Sequence, residues 1–528
     1  MKGMVYVHIE EGDFDGFLSK IDYIVKTIKD DKIREFRWFQ EKASYIKDKT
    51  LFDYAILSID RSFIIIAALI DFIFETISGE EKKSRYYFPI IVRKNVLSDS
   101  CLAAYNDGNC VYSLYDAVDD VEYIRCLDDI LRGGKEIEFK SGSRLKPYMI
   151  LNHDIYSSKR LNNKSSNSLT LLSKNEIVKT FRRMANGMNP DLEMTYMLRK
   201  YGFHDVQDIR GYFLYDDGKG TIYTLSMFSQ YIENVADMWQ YTQEYLKDFV
   251  KKYDGSDFVS FVYKNCGDYM GEVKRISELI ANMHIKLSLI NEGNFGVLEP
   301  NESHIDEITN QIISNFNLLL DYMKNQDYSD DVESLIKEII DDKNLLLESI
   351  ENIKSLAPYF GKYLRCHGDL HLEQLLKKED GYILIDFEGE PTKSISERSR
   401  HMSPLKDVAG MIRSFNYAAY SQFFEYKENG KGGVDLEKVE NLLSTWATVI
   451  TSVFVENYVN LINEHDADLI PDERYITAIL ALFKLDKAVF EAIYEVNNRP
   501  SWFKIPLKGI IECIDELKNI SSLEVYNG

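Results

Sequence analysis

Cysteine is sparse in this sequence, and the residues present are not spaced for metal binding. The six cysteines are Cys101, Cys110, Cys126, Cys266, Cys366 and Cys513. No two form a C-x-x-C pair, and none lies in a His/Cys cluster with zinc spacing. A chain of 528 residues can bury a core without disulfide or metal support. We therefore expect six free thiols in a reducing compartment.

Positive charge is also scarce. The sequence has 63 lysine and arginine residues against 85 aspartate and glutamate residues, a formal net charge of −22. Nucleic acids and anionic membranes attract proteins through Lys and Arg. We therefore expect no nucleic-acid partner and no membrane partner. A locally basic pocket for a phosphorylated ligand remains compatible with this composition.

Long apolar runs are missing as well. The most apolar stretch, Phe63 to Phe74, has 12 residues and includes Asp71. It is too short to span a bilayer and predicts buried strands. The N-terminal MKGMVYVHIEEGDFDG meets acidic residues before any long apolar run, which is not typical of a signal peptide. The expected location is cytoplasmic.

Changes of pattern divide the chain into three predicted regions. Residues 1–100 form a β-rich cap subdomain, in which a helix from Phe14 to Asp30 precedes a meander of antiparallel strands. Residues 101–232 form a mixed intermediate subdomain. Residues 233–528 carry apolar residues at helical spacing, with one strand-rich interruption at 363–391. The sequence predicts an α+β fold.

The interruption RCHGDLHLEQLL…GYILIDFEGE carries the clearest chemistry. Asp369 precedes Gln374 by five residues, and Asp386 follows Asp369 by 17 residues at the end of an apolar run. Phosphoryl transfer needs a carboxylate beside the attacking hydroxyl, oxygen ligands for Mg²⁺ and a cation over the phosphates. Protein kinases use the same spacing in their catalytic loop, and their Asp-Phe-Gly motif corresponds to Asp386-Phe387-Glu388. This pattern predicts a phosphotransfer site.

A loop–strand–Lys–helix–Glu order precedes this stretch, as in kinases. It comprises the polar loop Asn162–Ser168 with Asn167, then Lys179, then Glu193. The loop has no G-x-G-x-x-G motif, but its Ser and Asn residues can offer donors to phosphates. A strand lysine alone is typical of a solvated surface. Its place before Glu193 favours a role at the phosphates.

Several longer blocks resemble one known family. HGDLHLEQLL, IDFEGEP, SPLKDVAGMIRSFNYAA, FRRMANGMNPDLE, LYDAVDDVEYIRCLDDILRGG and NNRPSWFKIPLKGI are together similar to the maltokinases. These are aminoglycoside-phosphotransferase-like kinases, often linked to trehalose synthase, and the glucosamine kinases look similar to them at this level. The resemblance extends from about Arg37 to Leu507. It implies a protein-kinase-like bilobal fold with a cap, an N-lobe-like intermediate subdomain and a mostly helical C-lobe.

The resemblance also implies roles for residues of the C-lobe. Asp369 would be the catalytic base, and Gln374 and Asp386 would be the Mg²⁺ ligands. Lys487 and Tyr494 would hold the sugar; seven residues is about two helical turns, so both can face one cleft. Core packing is the alternative explanation for Tyr494.

Residues of the intermediate subdomain would hold ATP. By the resemblance, Lys179 would reach the α- and β-phosphates with Glu193 orienting it, and the connector at Gln230 and Ile232 would hold the adenine. Asn167 belongs to the loop over the phosphates. The implied cofactors are therefore ATP and Mg²⁺.

Four residues near the catalytic aspartate have roles that the motif alone leaves open. We expect His367 and His371 to hydrogen-bond and brace the loop, with a metal or base role as the alternative. Asp407 begins a helix and is expected to brace the loop through backbone N–H groups. Glu373 stands where the family usually has glycine.

The sequence leaves four functions open. Maltose phosphorylation to maltose 1-phosphate is the leading expectation, and a glucosamine kinase is the chief alternative. Aminoglycoside phosphorylation fits the C-terminal blocks less well. A nucleotide-binding regulatory pseudokinase, partnering a carbohydrate enzyme such as trehalose synthase, is the alternative from another class.

Overall fold

The computed structural model describes most of the chain and shows two units. The described residues are 14–42, 44–75, 81–151, 158–161, 166–324, 327–390, 393–429, 435–466 and 468–518. Unit 1 comprises Met1–Tyr196 and Gln207–Glu233, and unit 2 comprises Met197–Val206 and Asn234–Gly528. Residues 162–165 of the predicted phosphate loop lie outside the described residues.

The first sheet of unit 1 is antiparallel, with strand order β1-β2-β3-β5-β4. Its strands are β1 (Tyr45–Ile59), β2 (Phe63–Glu75), β3 (Glu81–Lys94), β4 (Ala103–Asn106) and β5 (Val111–Asp116). The apolar run predicted to be buried forms β2. Successive side chains of a strand point to opposite faces. Ile64 and Ile66 accordingly enter one core cluster, while Ile65 and Ala67 enter another. Because both faces are covered, the strand is apolar except at Asp71 and the terminal Glu75.

The single helix predicted from Phe14 to Asp30 is wrong. The chain forms three short helices instead: α1 (Asp15–Leu18), α2 (Ile21–Lys26) and α3 (Asp30–Glu35). At the first break the Ser19 hydroxyl donates to the Gly16 carbonyl at 2.9 Å. At the second break the Thr27 hydroxyl donates to the Ile24 carbonyl at 2.7 Å. Such local side-chain bonds compete with helix continuation.

The second sheet of unit 1 has seven strands in the order β6-β7-β11-β12-β10-β9-β8. Its strands are β6 (Ile137–Glu138), β7 (Arg144–Met149), β8 (Lys159–Arg160), β9 (Ser168–Ser173), β10 (Glu176–Thr180), β11 (Ile209–Asp216) and β12 (Ile222–Gln230). Helix α4 (Val121–Gly133) packs on this sheet, with Tyr123, Ile124 and Leu127 buried in the shared core. Helix α5 (Pro190–Lys200) begins in unit 1, and its residues from Met197 onward belong to unit 2.

Unit 2 is mostly helical. Its helices are α6 (Met238–Lys251), α7 (Phe258–Asn265), α8 (Gly267–Ser288), α9 (Glu302–Met323), α10 (Asp330–Asp341), α11 (Lys343–Ile353), α12 (Ile395–Arg398), α13 (Leu405–Asn429), α14 (Leu436–His465), α15 (Glu473–Asn498) and α16 (Lys504–Lys518). Short 3₁₀ helices cover Lys354–Tyr359, Leu372–Gln374 and Pro500–Trp502. Among the described residues, no helix is both long and apolar enough to cross a membrane.

Two small sheets interrupt the helices of unit 2 at the predicted strand-rich stretch. One has the order β13-β15-β16, formed by β13 (Ala236–Asp237), β15 (Leu375–Lys378) and β16 (Gly381–Leu384). The other pairs β14 (Leu364–Arg365) with β17 (His401–Met402). The loop between β14 and β15 carries Asp369, and the segment after β16 carries Asp386. The antiparallel pairing of β15 with β16 sets Leu375 opposite Leu384 and thereby brings the two segments together.

Candidate active site

The carboxylate of Asp407 anchors the loop between β14 and β15 through hydrogen bonds. One oxygen of Asp407 accepts the N–H of His367 at 2.8 Å, and the other accepts the N–H of Gly368 at 2.9 Å. His284 Nε2 contacts the same carboxylate at 3.1 Å, and His284 Nδ1 contacts the Tyr458 hydroxyl at 2.8 Å. The expected brace by Asp407 is confirmed.

Asp407, His284 and Tyr458 form a buried series of hydrogen bonds, and these contacts influence the pKa of Asp407. Burial raises the pKa of Asp407, but His284 and the donated backbone N–H groups outweigh it and leave the pKa below its ordinary value. A carboxylate only accepts, so Nε2 of His284 donates to it. Burial raises the pKa of Tyr458, so its hydroxyl stays protonated beside Nδ1 of His284. This buried series of hydrogen bonds therefore supports the loop.

Gly368 gives the loop its turn. Its φ is +83°, in the left-handed region that residues with a Cβ rarely adopt. The turn directs the chain from the two anchored N–H groups to Asp369. The glycine of the H-G-D motif is thus required by the backbone conformation.

The side chain of His367 ties this loop to the segment that carries Asp386. Its Nε2 donates to the carbonyl of Ile385 at 3.0 Å, and its ring lies 4.6 Å from that of Phe387, centroid to centroid. Between these two contacts, Asp386 has a φ of +65°. A non-glycine residue in this region costs on the order of 1–3 kcal/mol and persists only where its surroundings hold it. The strained backbone makes Asp386 a candidate functional residue.

Asp369 forms an ion pair with Lys487 of α15. Lys487 Nζ donates to Asp369 Oδ1 at 2.8 Å, and the two side chains are 23% and 24% exposed, Lys487 first. Burial raises the pKa of Asp369, but the charge and the hydrogen bond of Lys487 outweigh it and hold the pKa well below its usual range. Burial lowers the pKa of Lys487, but Asp369 and Glu491 raise it overall. The pair is therefore charged at neutral pH and open to a small ligand.

Gln374 lies at the end of the 3₁₀ turn that follows Asp369. Its amide Nε2 lies 3.1 Å from Nε2 of His371, and burial lowers the pKa of that imidazole. The neutral ring can accept from the amide, which directs the amide oxygen of Gln374 away from it. The Ile385 N–H donates to the Gln374 carbonyl at 3.1 Å. Gln374 is therefore joined to the residue that precedes Asp386, and the side chains of Gln374 and Asp386 both offer oxygen ligands.

Asp369 lines a narrow gap of about 20 Å³ in unit 2, together with Lys487 and Phe490. Glu390 and Lys406 line both this gap and a cavity of about 540 Å³ whose lining is mainly polar and charged. Lys487 and Phe490 line both the gap and a cavity of about 230 Å³, here named the aromatic cavity. Its aromatic lining residues are Trp239, Tyr417, Phe490, Tyr494 and Trp502.

The aromatic cavity also contains both residues predicted to hold the sugar. Lys487 and Tyr494 line it together with the carboxylates of Glu373, Glu491 and Glu495. Tyr494 is 48% exposed, and the guanidinium of Arg499 lies 5.4 Å from its ring centroid. Core packing therefore does not account for Tyr494. The cavity combines flat aromatic faces with carboxylates, which suits a polyhydroxylated ligand that carries positive charge.

The residues predicted to hold ATP lie in unit 1, on the second sheet and beside it. Lys179 of β10 donates to Asp191 Oδ2 at 2.7 Å, and both are buried. Asp191 and Glu193 both belong to the first turn of α5. This turn is capped by Asn189, whose Oδ1 accepts the Asp191 N–H at 2.9 Å. Asp191, which the sequence reasoning missed, is thus a carboxylate paired with Lys179. The first-turn acids of NPDLE were the available signal.

The remaining nucleotide candidates of unit 1 flank the same strands. Asn167 directly precedes β9 and is partly buried. Gln230 ends β12, and its N–H donates to the carbonyl of Asp208 at 2.8 Å. Ile232 follows as a buried residue, 6% exposed. The backbone of this connector is therefore held in place.

Gly410 of α13 supports the catalytic loop by close approach, and its replacement should be costly. A Cβ at Gly410 would overlap with the carbonyl oxygen of Leu370. Gly410→Ala should therefore destabilise the protein by roughly 1–3 kcal/mol, as overpacking does. Urea unfolding measures this loss. The control is Gly271→Ala in α8, where nothing lies within 4 Å of the added Cβ and helix propensity predicts a gain. Equal effects of the two variants would refute the close-contact argument.

Comparisons with known proteins point to sugar kinases. No protein-family model matches the sequence. The glucosamine kinase of Streptacidiphilus jiangxiensis is 25% identical over 150 residues, which is 28% of this chain and 31% of the relative. The glucosamine kinase of Mycolicibacterium smegmatis (strain ATCC 700084 / mc(2)155) is 27% identical over 150 residues, 28% of this chain and 34% of the relative. The matched stretch thus spans about a third of the length of these curated relatives.

Solved structures extend the likeness to nearly the whole chain. A glucosamine kinase structure (crystal form B) has a TM-score of 0.63 at 14% identity, covering 94% of this chain and 99% of its own. A glucosamine kinase in complex with glucosamine, ADP and inorganic phosphate has a TM-score of 0.61 at 14% identity, covering 91% of this chain and 98% of its own. The chain shares the fold of the solved glucosamine kinases. The predicted α+β, protein-kinase-like fold is confirmed.

Proposed function

We propose that this protein is an ATP- and Mg²⁺-dependent kinase that phosphorylates a hydroxyl group of a small sugar, with an aminosugar of the glucosamine type as acceptor. The observation that carries the proposal is the charged, partly exposed pair of Asp369 and Lys487 beside the aromatic cavity. The fold shared with glucosamine kinases supports it but is not sufficient, since one fold hosts many functions.

In the proposed mechanism, the acceptor hydroxyl binds beside Asp369. The depressed pKa keeps this carboxylate ionised, so it orients the hydroxyl and accepts its proton as the new O–P bond forms. A carboxylate of low pKa is a weak base, which suits a reaction that depends chiefly on positioning. Lys487 holds Asp369 in place and has further N–H donors for the sugar.

The proposed cofactor residues offer the right donors. Mg²⁺ prefers oxygen ligands, and Gln374 and Asp386 supply an amide and a carboxylate oxygen. When bound, the metal would neutralise charge on the phosphates. In unit 1, Lys179 would supply the cation for the phosphates and Asn167 a donor. Glu193 would orient Lys179, and Gln230 and Ile232 would hold the adenine.

The proposed acceptor follows from the aromatic cavity. Its volume of about 230 Å³ lies below the range of about 300–1,000 Å³ for drug-sized ligands, which favours one sugar ring. Aromatic faces can cover the apolar face of a sugar ring, and carboxylates can bind its ammonium group. Maltose is the second candidate, favoured by the larger cavity of about 540 Å³.

Release of ADP from MgATP with glucosamine, maltose, glucose or trehalose tests the proposal, and product NMR identifies the phosphorylated hydroxyl. We expect glucosamine to stimulate release most. Stimulation by maltose above all other sugars would replace the aminosugar by the disaccharide. Nucleotide binding without stimulation by any sugar would refute the kinase proposal and favour a regulatory module, such as a partner of a trehalose synthase.

A further inference from the structure

We infer that Glu373 determines specificity: its carboxylate binds the ammonium group of the acceptor and selects aminosugars over neutral sugars. The inference rests on the proposed function, because it names how the same cavity recognises its substrate. It concerns a residue on the wall of the aromatic cavity rather than one that performs the chemistry.

The charges around the aromatic cavity are largely paired with one another. Glu491 pairs with Arg413 at 2.9 Å, and Glu495 pairs with Arg499 at 2.6 Å. Lys487, the remaining cation of the wall, pairs with Asp369. Each of these carboxylates is therefore neutralised by a protein cation.

Glu373 differs from the other carboxylates of the wall. Among the contacts made by the described residues, its side chain has no ion-pair or hydrogen-bond partner, and it is exposed at the cavity. The neighbouring His371 is not an ion-pair partner of Glu373, because its Nε2 lies 3.1 Å from the amide nitrogen of Gln374 and accepts from it. The uncompensated charge of the cavity is therefore the negative charge of Glu373. A cationic ligand is favoured over a neutral one of equal shape.

Hydrogen bonds of the residues before and after Glu373 fix the position of its backbone. The preceding Leu372 is buried, and its N–H donates to the Ser414 hydroxyl at 3.1 Å. The following Gln374 donates its N–H to the His371 carbonyl at 2.9 Å. The carboxylate therefore extends into the cavity from a fixed turn, four residues after Asp369. Lys487, the ion-pair partner of Asp369, lines the same cavity as Glu373.

The test compares wild type with Glu373→Gln, which keeps shape and removes charge. kcat/KM is measured by ADP release for glucosamine and for glucose, which lacks the amine. An exposed charge pair is worth up to about a fivefold effect, so we expect roughly a threefold to fivefold loss for glucosamine, mainly in KM. Glucose turnover should stay within about twofold. The matched control is Glu379→Gln, an exposed residue in the turn between β15 and β16.

Two outcomes overturn the inference without touching the proposed function. They are equal losses for both sugars in Glu373→Gln, and an equal loss of glucosamine turnover in Glu379→Gln. Calorimetric binding of glucosamine and glucose provides a second measurement that needs no turnover. Preferential binding of glucosamine that Glu373→Gln abolishes supports the inference even if no sugar is phosphorylated. Equal binding of both sugars by wild type overturns it.

Discussion

Replacing Asp369 by asparagine is expected to lower kcat by a factor on the order of 10² to 10⁴, the range of a positioned general base. The amide keeps the shape of the side chain and can still accept a hydrogen bond from Lys487. It cannot take the proton of the acceptor hydroxyl. Because the wild-type carboxylate already has a depressed pKa, the variant loses chiefly the negative charge that orients the hydroxyl and Lys487. The KM for ATP should change little, since ATP is assigned to other residues.

The control for this prediction is Asp380→Asn, an exposed residue in the turn after β15. It changes the same charge in the same small sheet without reaching the cavities, so its kcat should equal that of wild type. Thermal unfolding of both variants shows whether the fold is kept. A folded Asp369→Asn variant with kcat within about tenfold of wild type would remove Asp369 as the base.

Local sequence patterns predict the parts of this molecule that depend on neighbours in the chain. The apolar run of β2 implied burial on both faces, and the structure shows two core clusters sharing its alternate residues. The spacing of Asp369 and Asp386 implied two nearby segments, and pairing of β15 with β16 provides this. The helix-starting position of Asp407 implied the brace. In each case a short motif already contained the geometry.

Contacts between distant segments were beyond the reach of the sequence. His284 and Tyr458 complete the support of Asp407 from 123 and 174 residues away from their partners. Trp239 joins the aromatic cavity from a helix far upstream of the loop. The periodicity of a sequence does not specify such long-range contacts, since they depend on how the helices pack. The pairing of Lys179 with Asp191 was missed for a smaller reason, because two acids share one helical turn.

Helix breaks near the N-terminus show a second limit. An apolar pattern at helical spacing fits Phe14 to Asp30, yet the chain turns twice within it. Ser19 and Thr27 each bond to a backbone carbonyl three residues earlier. These residues are compatible with either state of the backbone, so packing decides between them. The pattern alone could not.

The second large effect is expected for Asp407→Ala, which should destabilise the protein by at least about 3 kcal/mol, because three hydrogen-bond donors lose their acceptor. The change leaves two buried N–H groups, of His367 and Gly368, and His284 Nε2 without their acceptor, and each buried unsatisfied donor costs about 1–3 kcal/mol. Without its hydrogen bonds to Asp407, the loop would no longer hold Asp369 against Lys487, so kcat should fall as well.

Urea denaturation measures the stability loss, and Asp435→Ala provides the comparison. Asp435 also accepts a backbone N–H at a helix start, that of Glu437 at 3.1 Å, but its site is exposed. Loss of such a cap costs about 1 kcal/mol. If Asp407 only caps α13, the two variants should lose equal stability and both should keep kcat. If Asp407 anchors the catalytic loop, its loss should be several times larger and accompanied by loss of turnover. We expect the larger loss, because Asp407 accepts the N–H groups of His367 and Gly368, which belong to the catalytic loop and not to α13.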